Sequence, residues 1–559
     1  MIVSQFLNLL LLLSSCLALN SISAVRVSQI QKAIDATKHS SANITIAYKS
    51  TELWKHLLRD ISDLPNEILG VCLVLYATCL VRTGQDDEAV TQFGEALKLR
   101  HAISAENLEE ASLGRGRALQ RLMQYGKARE QFLELENSES SVCGAATCAL
   151  RLGDSDGAKS VLKKYFESSS EAETKNHEAA AMLGAVELLT QNNTMTAQQH
   201  ENSIQLMLEA AQANLLYRWI AFTSMKYFQV NQTNPFPKSR ADFSFLDLAA
   251  INLSPFDDHR LLHLDDKVLL HKLLKPPISE QFWPFGAVYG SCADSSQFTE
   301  TGGLWIQKRR SGYGSHGNRV ITVDEAAILA ATKNANPDSI IQQMVDPPLL
   351  LEGRKFSLRI YVVVFPNSIS GTSKGVDDVF ISKHGLIKLA STDFSDSVDM
   401  SVHMTNSGRQ LDMSQRSLAH LEKVFEERGW HFQSFWDSIT NAVRSTMQVY
   451  NSQRKQQNPA LLASTTSKIS TLAIPKILGF DFVVDAEKNP WLVEVNRFPG
   501  MEPRDDSDRS IKQGVISDAW KMAISRSALS EAEIKAVFGD VLFHSAFSDS
   551  SPPAMQQII

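Results

Sequence analysis

A chain of 559 residues with 43% hydrophobic and 21% charged residues has a globular composition and the length for two to four domains. Its 55 Lys and Arg against 62 Asp and Glu leave a net charge of −7 and a pI of about 6.1, which excludes the basic footprint of a nucleic-acid binder. Contact with any acidic protein segment must come from a local basic patch such as Lys308 to Arg310.

The chain opens on an apolar run from Phe6 to Ala18, the length of a signal-peptide core, followed by small residues at Cys16-Leu17-Ala18 and Ile22-Ser23-Ala24 suited to cleavage. Residues 1–24 therefore read as a targeting segment, pointing to the secretory pathway or a plastid. No lysine or arginine precedes Arg26, so a buried N-terminal helix, and with it a cytoplasmic or cytoskeletal location, stays open. The run is too short for a comfortable membrane span. Asn43, Asn192 and Asn231 head glycosylation sequons, a triplet that also arises by chance. Cys16, Cys72, Cys79, Cys143, Cys148 and Cys292 match no metal-ligand spacing, and most sit in apolar helical text where a buried thiol is the default.

Residues 50–235 read as helical repeats. Ala77 to Val90 with Phe93 and Ala96, then Arg117 to Phe132, then Cys148 to Ala158 follow a tetratricopeptide-like pattern, with Ala89, Ala128 and Ala158 at equivalent points. A stack of such units presents a concave face to a peptide partner, and a plain helical bundle is the other reading. A loop with Asn231, Asn234, Pro235 and Pro237 closes the region.

Beyond it the periodicity turns to strands. Leu304 to Lys308 runs into a loop, Arg309 to Arg319, rich in glycine, serine and cations; Ser315 and Gly317 lie within it, and such a loop cradles phosphate or is simply a basic turn. It is not a Walker A loop, and Tyr313 where a glycine is required rules out a serine nucleophile elbow. Ser339 to Val345 and Gly353 to Phe365 follow. Near the C-terminus, Phe480 to Asp485 and Trp491 to Asn496 form two alternating strands bearing Asp481, Glu494 and Asn496. Two carboxylates and an amide oxygen are hard ligands for Mg2+, whose remaining positions nucleotide phosphates fill, so the pattern points to ATP; a hairpin with polar residues on its solvent face is the alternative.

Taken in order, the strand ending in Lys308, Ile341-Gln342-Gln343-Met344-Val345, Arg354-Lys355-Phe356 with Arg359, His403-Met404-Thr405-Asn406 and the hairpin resemble the tubulin-tyrosine ligase-like family of ATP-grasp ligases. The resemblance covers about residues 250 to 530. It implies an α+β fold, an ATP-grasp domain over 245–530 preceded by the all-α repeats, with 531–559 as a C-terminal tail. It further implies that Lys308 and Lys355 contact ATP phosphates, that Gln342, Gln343, Met344 and Val345 form the adenine hinge, and that Asp481, Glu494 and Asn496 hold Mg2+. By the same resemblance Arg359 lies near the reacting acyl phosphate, Thr405 and Asn406 lie near the amino-acid substrate, and Lys383 stands where an arginine takes the amino-acid carboxylate. The implied activity joins an amino acid of the tyrosine or glutamate class to a protein carboxylate, tubulin by default. Arg319, Ser357 and Leu411 depart from the family pattern, which keeps a rival reading: a weakened or inactive ligase-like protein acting as a repeat scaffold.

Overall fold

A computed structural model describes residues 23–39, 44–59, 64–82, 85–122, 124–135, 138–152, 154–168, 177–190, 196–210, 215–227, 261–274, 281–291, 303–310, 318–332, 339–365, 378–395, 397–403, 416–457, 474–503, 505–527, 529–538 and 552–559, with the single positions 248, 298 and 405. The apolar run from Phe6 to Ala18 and the three sequon asparagines lie outside them. Among the described residues no helix is long and apolar enough to cross a membrane. The chain divides into two compact units, residues 1–174 and 175–559.

In the first unit the helices are α1 Ala24–His39, α2 Ile44–Leu57, α3 Asn66–Arg82, α4 Asp86–Lys98, α5 Ala105–Arg121, α6 Tyr125–Leu133, α7 Glu139–Arg151 and α8 Ser155–Ser168. Each packs on the next, and α3, α5 and α7 also touch in series, so the unit is a stack of helical hairpins. Small residues set the spacing. Ala89, Ala128 and Ala158 are fully buried, and a methyl group added at Gly114 would come within 2.4 Å of the Phe93 ring. Phe132 wedges in the same way between Gly116 and Gly144. Cys72, Cys79, Cys143 and Cys148 are buried free thiols, and burial pushes Cys72 up to about 12, leaving it inert.

The second unit begins with three helices that the sequence reading assigned to the repeats: α9 His177–Thr190, α10 Ala197–Ala210 and α11 Leu215–Tyr227. After α12 Leu262–Asp265 and α13 Lys267–Leu273 comes a four-stranded antiparallel sheet of β1 Gly286–Val288, β2 Trp305–Arg309, β3 Arg319–Ile321 and β4 Ser339–Gln343, in the order β1-β4-β2-β3. Helix α14 Val323–Ala331, capped by Thr322, lays Ala326 and Ala330 against Trp305 and Ile341 on one face of it.

A seven-stranded sheet follows, built from β5 Leu350–Leu351, β6 Arg354–Phe365, β7 Asp378–Leu389, β8 Arg416–Ser417, β9 Lys476–Val484, β10 Pro490–Asn496 and β11 Met555–Gln557, with β10-β9-β6-β7-β11 as its spine. Helices α15 Met400–His403, α16 Leu418–Glu427, α17 Phe432–Gln457, α18 Asp506–Ser527 and α19 Glu531–Phe538 complete the unit, and the fold is α+β. Glu352 and Gly353, both at positive φ, make the two-residue turn from β5 to β6. Along β6, Leu358, Ile360, Val362 and Val364 join Phe480, Trp436, Ile439 and Val443 in the main core. The alternate residues Lys355, Ser357 and Arg359 therefore share the other face.

Candidate functional site

That polar face of β6 meets the polar ends of β2, β4, β9 and β10 in a cleft lined by Lys308, Gln342, Lys355, Asp481 and Glu494. The β9–β10 hairpin is held at its turn by Asp485, whose carboxylate accepts from Asn489 N at 2.7 Å and Trp491 Nε1 at 2.9 Å. Phe482 pairs with Leu492, but Asp481 pairs with Glu494, so Val493 is an extra residue in the ladder. This bulge decides the site. Strict alternation from buried Leu492 would send Glu494 into the core; the inserted Val493 returns it to the cleft, beside Asp481.

Arg359, opposite Asp481 in the β6–β9 register, forms a two-pronged ion pair with it: Nε donates to Oδ1 and Nη2 to Oδ2, the latter at 2.6 Å. Asn496 Nδ2 lies 3.4 Å from Asp481 Oδ2 and 3.2 Å from Glu494 Oε1, so the three predicted magnesium ligands converge. Among the described residues no group of three or more His, Cys, Asp or Glu side chains suits a metal. The donor set here is two carboxylates plus an amide, which fits hard magnesium once the amide presents its oxygen.

Lys308 Nζ donates to Gln342 Oε1 at 2.7 Å and to the bulge carbonyl of Val493 at 3.0 Å. Lys355 Nζ lies 3.5 Å from the Val345 carbonyl, tying the hinge to β6. Gln342 is buried and also donates to Pro284 O, while Gln343, Met344 and Val345 line the cleft. Gln343, Met344 and Val345 also border a larger hollow of about 840 Å³ beside β1, whose lining includes Lys272 and Asp346. Thr405 reaches the site through a 2.6 Å hydroxyl contact with Ser357.

Burial pushes Lys308 and Lys355 down to about 8. Burial drives the Asp481 carboxyl upward, but Arg359 and Lys388 outweigh it and hold it down at about 2.

Two cations had no assigned part in the sequence reading. Lys388 on β7 is buried with Nζ 3.5 Å from Asp481 Oδ2, and Lys267 at the start of α13 is 3.6 Å from Glu494 Oε2. The signal for Lys388 was a lysine flanked by Ile387 and Leu389 in the apolar C-terminal end of its strand. Lys383 is not brought to this group: it is exposed, in a stretch where β7 slips register against β6, and its backbone N–H donates to Ala554 O of the chain that leads into β11. Ser315, Gly317, Asn406 and Leu411 lie outside the described residues.

With this geometry in place, the comparison with protein families is specific: residues 278–530 match the model of the tubulin-tyrosine ligase family. The second unit carries a tubulin-tyrosine ligase family domain. Curated proteins similar to this chain include tubulin polyglutamylase TTLL7 of Xenopus tropicalis, 26% identical over 214 aligned residues, with 34% of this chain and 22% of the relative covered. Tubulin polyglutamylase TTLL6 of Mus musculus is 27% identical over 209 aligned residues, with 34% of this chain and 24% of the relative covered. Tubulin polyglutamylase TTLL13 of Mus musculus is 27% identical over 202 aligned residues, with 33% of this chain and 24% of the relative covered. The matched segments thus span about a quarter or less of these relatives.

Proposed function

We propose that the chain is an ATP- and magnesium-dependent ligase that joins an amino acid to a protein carboxylate through an acyl phosphate. The observation that carries the reading is the convergence of buried Lys308, Arg359 and Lys388 on Asp481, Glu494 and Asn496, with buried Lys355 lining the same cleft. Buried cations exceed the carboxylates they face, and a polyphosphate supplies the missing negative charge.

Lys308 and Lys355 would take the phosphates, with Gln343 to Val345 on the adenine side. Asp481, Glu494 and Asn496 would hold the magnesium ion, which neutralises charge on the transferring phosphoryl group. Arg359 stands at the β6 position nearest those ligands, suited to the acyl phosphate formed when the acceptor carboxylate takes the γ-phosphoryl group. The amine of the incoming amino acid then displaces phosphate, and no enzyme nucleophile is needed. Since the relatives are named tubulin polyglutamylases, glutamate and tubulin are the substrates to try first, with tyrosine second. The hairpin stack of the first unit is read as a tetratricopeptide-like platform for a peptide partner.

The test is Glu494→Gln, which keeps size and removes charge. ADP release with tubulin and single amino acids should fall by about a hundredfold or more while the circular dichroism spectrum is retained. Unchanged turnover would remove the reading.

A further inference from the structure

Five buried cations surround this centre: Lys267, Lys308, Lys355, Arg359 and Lys388. Among the described residues the carboxylates acting on them are chiefly Asp481 and Glu494, with exposed Asp346 acting on Lys355. Both oxygens of Asp481 are engaged, by the Arg359 fork and by Lys388 at 3.5 Å from Oδ2. Glu494 faces Lys267 at 3.6 Å on one oxygen and the Asn496 amide at 3.2 Å on the other.

A magnesium ion sits about 2.0–2.1 Å from its carboxylate oxygens, so one placed on Asp481 lies within a few ångströms of two fixed cations. Repulsion at that range in a desolvated cleft is strong. A polyphosphate meets the opposite field, because its charge compensates the lysines and, once bound, offers a metal its own oxygens. We infer that this centre takes nucleotide before metal, and that Lys388 is the positioning residue that sets the order by completing, with Arg359, the neutralisation of Asp481. The inference rests on the nucleotide reading of the cleft and deepens it. Lys388 acts through Asp481 and is not assigned to the reacting atoms.

The experiment is direct binding to the full chain near pH 7, with three titrations: Mn2+ alone, ATP in EDTA, and Mn2+ in the presence of ATP. ATP should bind in EDTA, and Mn2+ alone should bind at least about a hundredfold more weakly than it does with ATP present. Lys388→Met should tighten Mn2+ alone by about tenfold and weaken metal-free ATP by a similar factor, while Lys388→Arg keeps both at the native values. If Mn2+ alone binds as tightly as it does with ATP, or if Lys388→Met changes neither affinity, the inference is overturned. Should Lys388→Met fail to fold, the native titrations and Lys388→Arg decide the matter. ATP that binds only with metal removes the order alone; ATP that binds under no condition removes the nucleotide reading itself.

Discussion

Lys308 shows how one side chain joins three strands. Its ammonium rests between Gln342 of β4 and the Val493 carbonyl of β10, where burial pushes it down to about 8, as burial does for Lys355. A lysine with a lower pKa folded than unfolded binds fewer protons in the folded state. Its contribution to stability therefore rises with pH between about 8 and the ordinary 10.5, and the charged amine is a cost below that window. Phosphate binding runs the other way, because it needs the charge. Affinity for ATP should fall about tenfold or more as pH rises from about 7.5 to about 9.5, and Lys355→Arg should flatten that profile by keeping its charge. Calorimetric titration across the range checks it; a flat native profile would take both lysines off the phosphates.

At the scale of elements, the C-terminal strand is more than a tail. Met555, Gln556 and Gln557 pair with Ser382, Ile381 and Phe380 at the edge of β7, and Ile558 is buried in the main core. Asp518 of α18 accepts from Ala554 N at 2.8 Å, and Arg444 of α17 donates to Ile558 O at 3.2 Å. Such pairing closes the sheet edge that would otherwise present unpaired backbone. Removal of residues 552–559 should cost about 2–4 kcal/mol, from one buried isoleucine and several backbone hydrogen bonds. A thermal melt would show it, and an unchanged midpoint would mean that the strand adds nothing to stability.

For the whole molecule, the division of the chain at 174/175 matters more than the polar loop near 235. Trp219 of α11 sits fully buried, its ring 5.1 Å from that of Trp520 and 5.7 Å from that of Phe538, and Arg218 donates to Ala536 O at 3.3 Å. Helices α9–α11 therefore belong to the support of α18 and α19. A variant beginning at residue 175 should fold and bind ATP within about twofold of the full chain, since each unit has its own core. One beginning at residue 236 should lose about 3–5 kcal/mol, the scale of removing a buried Trp, and expose Trp520. Urea unfolding of the two variants separates the cases; equal stability would return the three helices to the repeats.

The sequence by itself determined the strands carrying Lys308, Lys355 and Arg359 and the hairpin with Asp481, Glu494 and Asn496, because strand periodicity and side-chain chemistry are local properties, while the α+β class followed from the resemblance those segments carry. The packing alanines of the first unit were visible for the same reason. Only the tertiary structure decided which cations reach Asp481. Lys383 and Lys388 lie five residues apart on one strand, an odd spacing that already sends them to opposite faces, and only the pairing of Lys388 with Ser357 of β6 decided that Lys388 is the one on the cleft face. The Val493 bulge and the seating of Trp219 on Trp520 are of the same kind, set by partners distant in the chain, whose positions exist only once the sheets and helices have packed.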